Sequence, residues 1–181
     1  MQWSRMKKQI ESLFAPAVAG RVELRSTSYR HSHDGEGRVW ITLDGEEIYD
    51  FCYWRTQIAA NRLEAGIRQA NQATDFRDPE QREGYYEAGR QAAEILRAQG
   101  LYSQYGAYQA IREYLSMGID EALESDHLIV RALAVLDRRL GKRRLAEFPL
   151  RPTDHELVKR LLAFRCGVEG VPGTVLTGQP G

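Results

Sequence analysis

The hydrophobic residues at the start of the chain recur every three to four positions. Lys7, Lys8 and Glu11 fall on the opposite side, so the segment has one apolar and one charged face. This pattern predicts an amphipathic helix that ends before Pro16 and Gly20, with an apolar face formed by Trp3, Met6, Ile10, Leu13 and Phe14.

The spacing of apolar residues then changes to an alternation of two, which is typical of strands. Three runs with this alternation lie at about 21–30, 38–43 and 47–53. Asp44 and Gly45, between the second and third runs, are a strong hairpin signal because both residue types tolerate positive φ. The segment therefore predicts a three-stranded antiparallel meander.

Helical periodicity returns after Arg55, and it predicts helices at 55–73, 79–99, 103–118, 126–140 and 154–165. Asp78 and Pro79 suit an N-cap and a first helical residue, and Thr153 with Glu156 forms a capping-box pattern. The predicted fold class is α+β, with an N-terminal helix plus a three-stranded antiparallel meander followed by an all-helical lobe of about five helices.

We expect the chain to form one compact domain with two parts. Residues 1–54 hold the helix and the β-meander, and residues 55–166 form the helical lobe packed on it. Residues 167–181 contain five glycines and two prolines without periodicity, which predicts a flexible tail.

Two segments of this layout, YRHSHDGEGRVWITLDGEEI and VRALAVLDRRLGKRRL, resemble a family of uncharacterised bacterial proteins. The resemblance covers most of the chain up to about residue 148. It implies that the helix, the meander and the following helices form a single recurring architecture. It carries no activity to any residue.

The charge of the chain is balanced overall but uneven along its length. Lys and Arg together number 25, as do Asp and Glu, yet residues 131–165 hold ten basic residues against four acidic ones. Cys52 and Cys166 lie far apart and outside any zinc-ligand spacing, and the N-terminus lacks the apolar core of a signal peptide. With no apolar run of membrane-helix length, these features predict a soluble cytoplasmic protein without membrane association or a cofactor.

The segment His31-Ser32-His33-Asp34 is the first candidate site. In an extended strand, His31 and His33 project from the same side, and a nearby carboxylate from Asp34 or Glu36 would complete a metal-ligand set. The glycines that follow Asp34 and Glu36 instead favour a solvated hairpin tip, which we consider the better interpretation. A binding loop without metal is the remaining alternative.

The second candidate site is a cluster of five basic residues within seven positions, an anion-binding or partner-binding set. Such a cluster could contact a phosphate backbone or an acidic protein. It also suits a charged helix end, where cations interact favourably with the helix dipole. The residues of this basic cluster are Arg138, Arg139, Lys142, Arg143 and Arg144.

Three hypotheses about function follow, and the first is the leading one. It describes a small non-enzymatic cytosolic module that binds another protein or a second copy of itself. The second is a nucleic-acid-associated protein that uses the basic cluster. The third is a metal-dependent enzyme centred on His31 and His33, although the chain has none of the common nucleophile, phosphate-loop or HExxH motifs.

Overall fold

This computed structural model describes residues 2–29 and 36–172. These residues contain eight helices and three strands. The α+β fold class is confirmed, with an N-terminal helix, a three-stranded antiparallel sheet and then helices. In chain order the elements are α1 Trp3–Glu11, β1 Val22–Ser28, β2 Gly37–Leu43, β3 Glu46–Cys52, α2 Tyr53–Ala70, α3 Arg82–Ala98, α4 Gln104–Tyr114, α5 Ile119–Glu124, α6 Leu128–Leu136, α7 Lys142–Ala146 and α8 Glu156–Glu169.

The three strands pair in the order β1-β2-β3, as a meander does. The predicted hairpin between β2 and β3 is present. Asp44 has φ +52° and Gly45 has φ +87°, the conformation that a two-residue hairpin loop requires. At the start of β2, a Cβ on Gly37 would lie 1.9 Å from the carbonyl oxygen of Thr27, so only glycine fits against β1 there.

The first helix is held against β1 by polar contacts at its charged edge. Glu11 accepts a hydrogen bond from the backbone N–H of Leu24 at 2.9 Å. Lys7 donates to the Leu24 carbonyl at 2.8 Å and also pairs with Glu11. Met6 and Ile10 are buried on the apolar side, as the sequence predicts.

The helix predicted to start at Pro79 begins only at Arg82. Asp78 forms a local turn instead, because its carboxylate accepts from the Glu80 N–H and from the Gln81 side chain. The Gln81 side-chain oxygen accepts in turn from the backbone N–H of Thr74 at 3.0 Å. The preceding loop therefore uses the polar groups that the sequence pattern assigned to the helix N-terminus.

Helix α6 is buried at all nine positions and is shorter than predicted. It ends at Leu136 because Asp137 turns to extended backbone and pairs with Phe14 in an isolated antiparallel bridge. Among the described residues after Trp54, this bridge is the only β-pairing.

Several other element boundaries differ from the prediction. A short helix, α5, lies between the helices predicted at 103–118 and 126–140, where no helix was predicted. The capping box predicted at Thr153 and Glu156 is wrong, since His155 is the N-cap of α8. That helix continues to Glu169 and ends at Gly170, which has φ +64°.

The described chain divides into two compact units that do not follow sequence order. One unit contains residues 2–26, 40–50 and 107–172, and the other contains 27–29, 36–39 and 51–106. We call them unit 1 and unit 2. The organisation predicted from the sequence, with parts at 1–54 and 55–166 and a flexible tail at 167–181, stays a prediction.

Candidate interaction surface

Arg139, a member of the predicted basic cluster, is part of the folded structure of unit 1. Its guanidinium donates to the carboxylate of Asp137 through Nη2 at 2.7 Å and through Nε at 3.0 Å. It also donates to the carbonyl of Met117 at 3.0 Å. The hydrogen bond to Asp137 raises the pKa of Arg139 above its ordinary value. The guanidinium of Arg139 is thus bound within the protein by Asp137.

Of the other four members of the cluster, two contact described residues and two do not. Lys142 donates to the carbonyl of Glu169 at 2.8 Å, and Arg144 forms an ion pair with Asp120. Arg138 and Arg143 are exposed and have no side-chain hydrogen bond or ion pair with any residue that the structure describes. Two unpaired cations could neutralise only a few phosphates, and the affinity for a nucleic-acid backbone increases with the number of phosphates contacted.

Asp137 is the centre of this arrangement, and it is fully buried. Besides Arg139, it accepts a hydrogen bond of 2.6 Å from the hydroxyl of Tyr114, which is also fully buried. Burial, reinforced by that hydrogen bond, raises the pKa of Tyr114 well above its usual value. The phenol therefore remains a hydrogen-bond donor under all ordinary conditions.

Two further arginines are buried in unit 1, and neither is among the site residues predicted from the sequence. Arg131, on α6, makes a two-pronged pair with Asp154, with one contact of 2.6 Å. Arg165, on α8, pairs with Glu169 and donates to the carbonyl of Asp137 at 2.8 Å. Their positions between apolar neighbours were the available signal, because an arginine there needs a buried partner.

The candidate metal ligands His31, His33 and Asp34 lie outside the described residues. Within the described ranges, no group of three or more His, Cys, Asp or Glu side chains is placed to hold a metal ion. The HSHD segment therefore stays a prediction. No helix in the same ranges is long and apolar enough to cross a membrane.

The aromatic residues of the third strand and the following helices do not share one environment. Tyr102 and Tyr114 are buried, whereas Tyr86 and Tyr105 are exposed. Two cavities of about 260 and 460 Å³ in unit 1 have no tyrosine in their walls. The wider one lies between α1 and α4 over Leu13 and Leu115, which leaves it shallow and partly apolar.

Exposed large hydrophobic side chains are confined to unit 2 among the described residues. Helix α2 carries two of them and has no fully buried residue along its 18 positions. Its inner side packs on α3, where Arg68 lies 3.6 Å above the ring of Tyr85. The complete set is Tyr29, Trp54, Ile58, Phe76, Tyr86, Ile95 and Tyr105.

The amino-acid sequence does not predict this distribution of exposed side chains, for a physical reason. Ile58 and Ile95 are apolar residues within the helices predicted at 55–73 and 79–99, where helical periodicity would place them on an apolar face. They are 51% and 39% exposed. Periodicity identifies an apolar face but not whether another element covers it.

The fold defines an α+β protein built from one helix, an antiparallel meander and a series of helices. The chain belongs to the SF0329 protein family, whose model matches residues 2–166. That family is uncharacterised, which confirms the resemblance seen in the sequence. No curated protein and no solved structure matches the chain.

Proposed function

We propose that this chain is a small non-enzymatic cytosolic protein-interaction module that binds its partner through the outer side of α2. The observation that carries the proposal is the exposure of Trp54 and Ile58, at 47% and 51%. They lie one helical turn apart, so their side chains form one continuous apolar surface. Contiguous exposed apolar surface of this kind is typical of interaction sites.

The outer side of α2, which we call the α2 face, has a simple composition. Trp54, Ile58 and Ala65 provide its apolar part, and Asn61 lies between them at helical spacing. The exposed Arg62 borders this strip. Tryptophan and arginine are the residue types that most often dominate the binding energy of protein interfaces.

Trp54 is held in place by its aromatic neighbours in unit 2. The ring of Tyr53 meets Trp54 edge-on, with 5.4 Å between centroids, and it meets the exposed Tyr105 in the same way at 5.8 Å. Such contacts restrict the rotamers of Trp54 before any partner arrives. A restricted side chain loses less conformational entropy on binding, which favours affinity.

The charges of the α2 face indicate the chemistry of the partner. Arg62 makes no hydrogen bond or ion pair with a described residue. The only carboxylate of α2, Glu64, is half-buried and pairs with Arg68 at 2.6 Å. Two α2 faces in contact would therefore bring like charges together. The face fits an amphipathic helix of another protein with aliphatic residues at i and i+4 and a carboxylate opposite Arg62.

The test begins with a photo-crosslinking amino acid at Asn61, which identifies what contacts the α2 face. The crosslinked protein is then purified, and its affinity for the chain is measured by calorimetry. Trp54→Ala should weaken binding by roughly 30-fold, as expected for a central aromatic anchor. Arg62→Glu should mainly lower the association rate. Tyr86→Ala, which removes an exposed ring on α3, is the matched control and should leave affinity unchanged.

Two results would contradict this proposal in different ways. Equal affinity of the crosslinked protein for the wild type and for Trp54→Ala would exclude the α2 face as its binding site. Light scattering that shows a dimer, converted to a monomer by Trp54→Ala, would make a second copy the occupant. Trp54 is half exposed, so the variant should keep its melting temperature, which separates lost binding from lost folding.

A further inference from the structure

Two helices of unit 1 begin with a histidine as the N-cap. His127 accepts a hydrogen bond at Nδ1 from the backbone N–H of Ile129, at 3.2 Å, at the start of α6. His155 accepts at Nδ1 from the N–H of Leu157, at 3.1 Å, at the start of α8. Both residues have extended backbone, as N-caps do. The two imidazoles therefore satisfy amides that the helices leave unpaired.

This geometry defines the protonation state of both rings. A nitrogen that accepts a hydrogen bond carries no proton, so neutral His127 and His155 hold their proton on Nε2. For His155 a second contact agrees, since its Nε2 lies 3.2 Å from the hydroxyl of Tyr49. The ring of His155 also meets the ring of Tyr49 edge-on, with 5.0 Å between their centroids.

We propose that His127 and His155 form a pH-sensitive switch, in which protonation of the imidazoles releases the first turns of α6 and α8. An imidazolium carries a proton on both nitrogens and cannot accept from a backbone N–H. It also places a positive charge at the positive end of the helix dipole. The usual capping residues, Ser, Thr, Asp and Asn, have no such transition near neutral pH.

The two caps are connected through one buried ion pair. Arg131, whose N–H donates to the carbonyl of His127 at 3.0 Å, reaches Asp154 with its guanidinium. Asp154 directly precedes His155 in the chain. Loss of either cap therefore loosens a residue of the Arg131–Asp154 pair. We expect the release of the first turn of α6 to be coupled to the release of the first turn of α8.

Charged groups of both signs surround the caps. Around His155 are Asp154, which Arg131 neutralises, together with Glu156 and Lys159, which pair with each other. Around His127 are Glu124 and Asp126, and both pair with Arg151. Each of these described carboxylates thus pairs with a cation, and Glu124 and Asp126 share Arg151. This pairing limits how far they can stabilise an imidazolium.

Burial determines the direction of the effect at His155. Partial burial lowers the pKa of His155, while Glu156 opposes that shift and Lys159 adds to it. A histidine whose pKa is lower in the folded state binds more protons after unfolding. Its contribution to stability is therefore complete above the ordinary histidine pKa of about 6.5 and is lost as the pH falls below that value.

The test compares melting temperatures at about pH 7.5 and about pH 5.5, a window in which ordinary carboxylates stay ionised. The chain has four histidines, so two matched double variants separate the caps from the other pair. The wild type and His31→Asn/His33→Asn should both lose about 5 °C at the lower pH. His127→Asn/His155→Asn should lose none, because the asparagine oxygen accepts the same N–H and does not titrate. A cap variant with the same loss as the wild type would overturn the switch.

Nuclear magnetic resonance of the wild type gives an answer even if the cap variant does not fold. At about pH 7.5, the ¹⁵N shifts of His127 and His155 should show an unprotonated Nδ1 and a protonated Nε2. As the pH falls, hydrogen exchange at the Ile129 and Leu157 amides should accelerate beyond the ordinary pH dependence, in step with protonation of the rings. The proposal would be overturned if Nδ1 were protonated at the higher pH. It would also be overturned if hydrogen exchange at the two amides did not change as the rings become protonated.

Discussion

Adjacent arginines at the end of α6 offer a direct test of which basic residues belong to the folded structure. Arg138 and Arg139 are both exposed, but only Arg139 contacts the buried carboxylate of Asp137. We expect Arg139→Ala to destabilise the protein and Arg138→Ala to have almost no effect. The two variants remove the same side chain one residue apart, so each controls for the other.

The magnitude follows from the contacts of Asp137. Arg139→Ala removes two charge-assisted hydrogen bonds, whereas the carboxylate keeps the Tyr114 hydroxyl and the backbone N–H of Arg139 at 2.7 Å. Breaking a fully buried ion pair costs about 3–5 kcal/mol. The Arg139 side chain is 34% exposed, so water screens part of the interaction and lowers the expected cost to about 2–3 kcal/mol. Arg138→Ala should stay within ~0.5 kcal/mol.

The assay is equilibrium unfolding in urea, with the free energy extrapolated to water for each variant. Combining Arg139→Ala with Asp137→Asn in a double-mutant cycle isolates the pair, and the double variant should cost clearly less than the sum of the single changes. Equal destabilisation by Arg138→Ala and Arg139→Ala would refute the reasoning, because the contact with Asp137 would then carry no special weight.

Four further predictions concern the candidate sites and two glycines, one in the sheet and one on α2. Changing all three basic residues at 142–144 to glutamate should leave DNA binding no weaker than that of the wild type in salt-gradient retention, and a wild type retained at ~0.15 M salt but lost in the variant would contradict this. Alanine at both His31 and His33 should shift the free energy of unfolding by no more than ~0.5 kcal/mol, and metal analysis of untagged protein should find no stoichiometric ion. Gly37→Ala should cost about 1–3 kcal/mol in urea unfolding, since the new Cβ would strike the backbone of Thr27. Gly66→Ala, in open space on α2, should instead stabilise by roughly 0.5–1 kcal/mol.

The order and type of the main elements were predictable because they depend on local patterns. The Asp44-Gly45 loop has the positive φ values that its sequence indicated, and the alternating strands on either side pair as a hairpin. Helices with a clear apolar face, such as α1, appear where the helical period predicts them. In these segments the local preferences and the tertiary packing favour the same structure.

The candidate surfaces were harder to predict because their character depends on distant residues. Arg139 and Arg144 read as part of a free basic cluster, yet Asp137 and Asp120 bind their guanidinium groups. Ile58 fits a buried stripe in the sequence but is half exposed on α2. Burial and pairing arise from tertiary packing, which a single sequence does not show.

Helix α6 shows why some boundaries cannot be predicted from local sequence. The apolar pattern continues to Leu140, and no local stop signal follows Leu136. The helix ends there because Asp137 pairs with Phe14 from the N-terminal segment. Arg165 from α8 then donates to the carbonyl of Val135, near the end of the helix, and to the carbonyl of Asp137, which follows it.

The polar groups at the two ends of α6 also offer an explanation for its fixed position in an apolar core. A helix that is hydrophobic on every side could shift along its axis or rotate at little cost, because its apolar contacts are not directional. His127 at one end and Arg165 at the other end make hydrogen bonds that only one position satisfies. On this argument, the buried ionic groups of unit 1 contribute to structural specificity as well as to stability. Replacing Arg165 with methionine should therefore broaden the amide resonances of α6 more than a cavity-forming change of similar cost, such as Leu133→Ala.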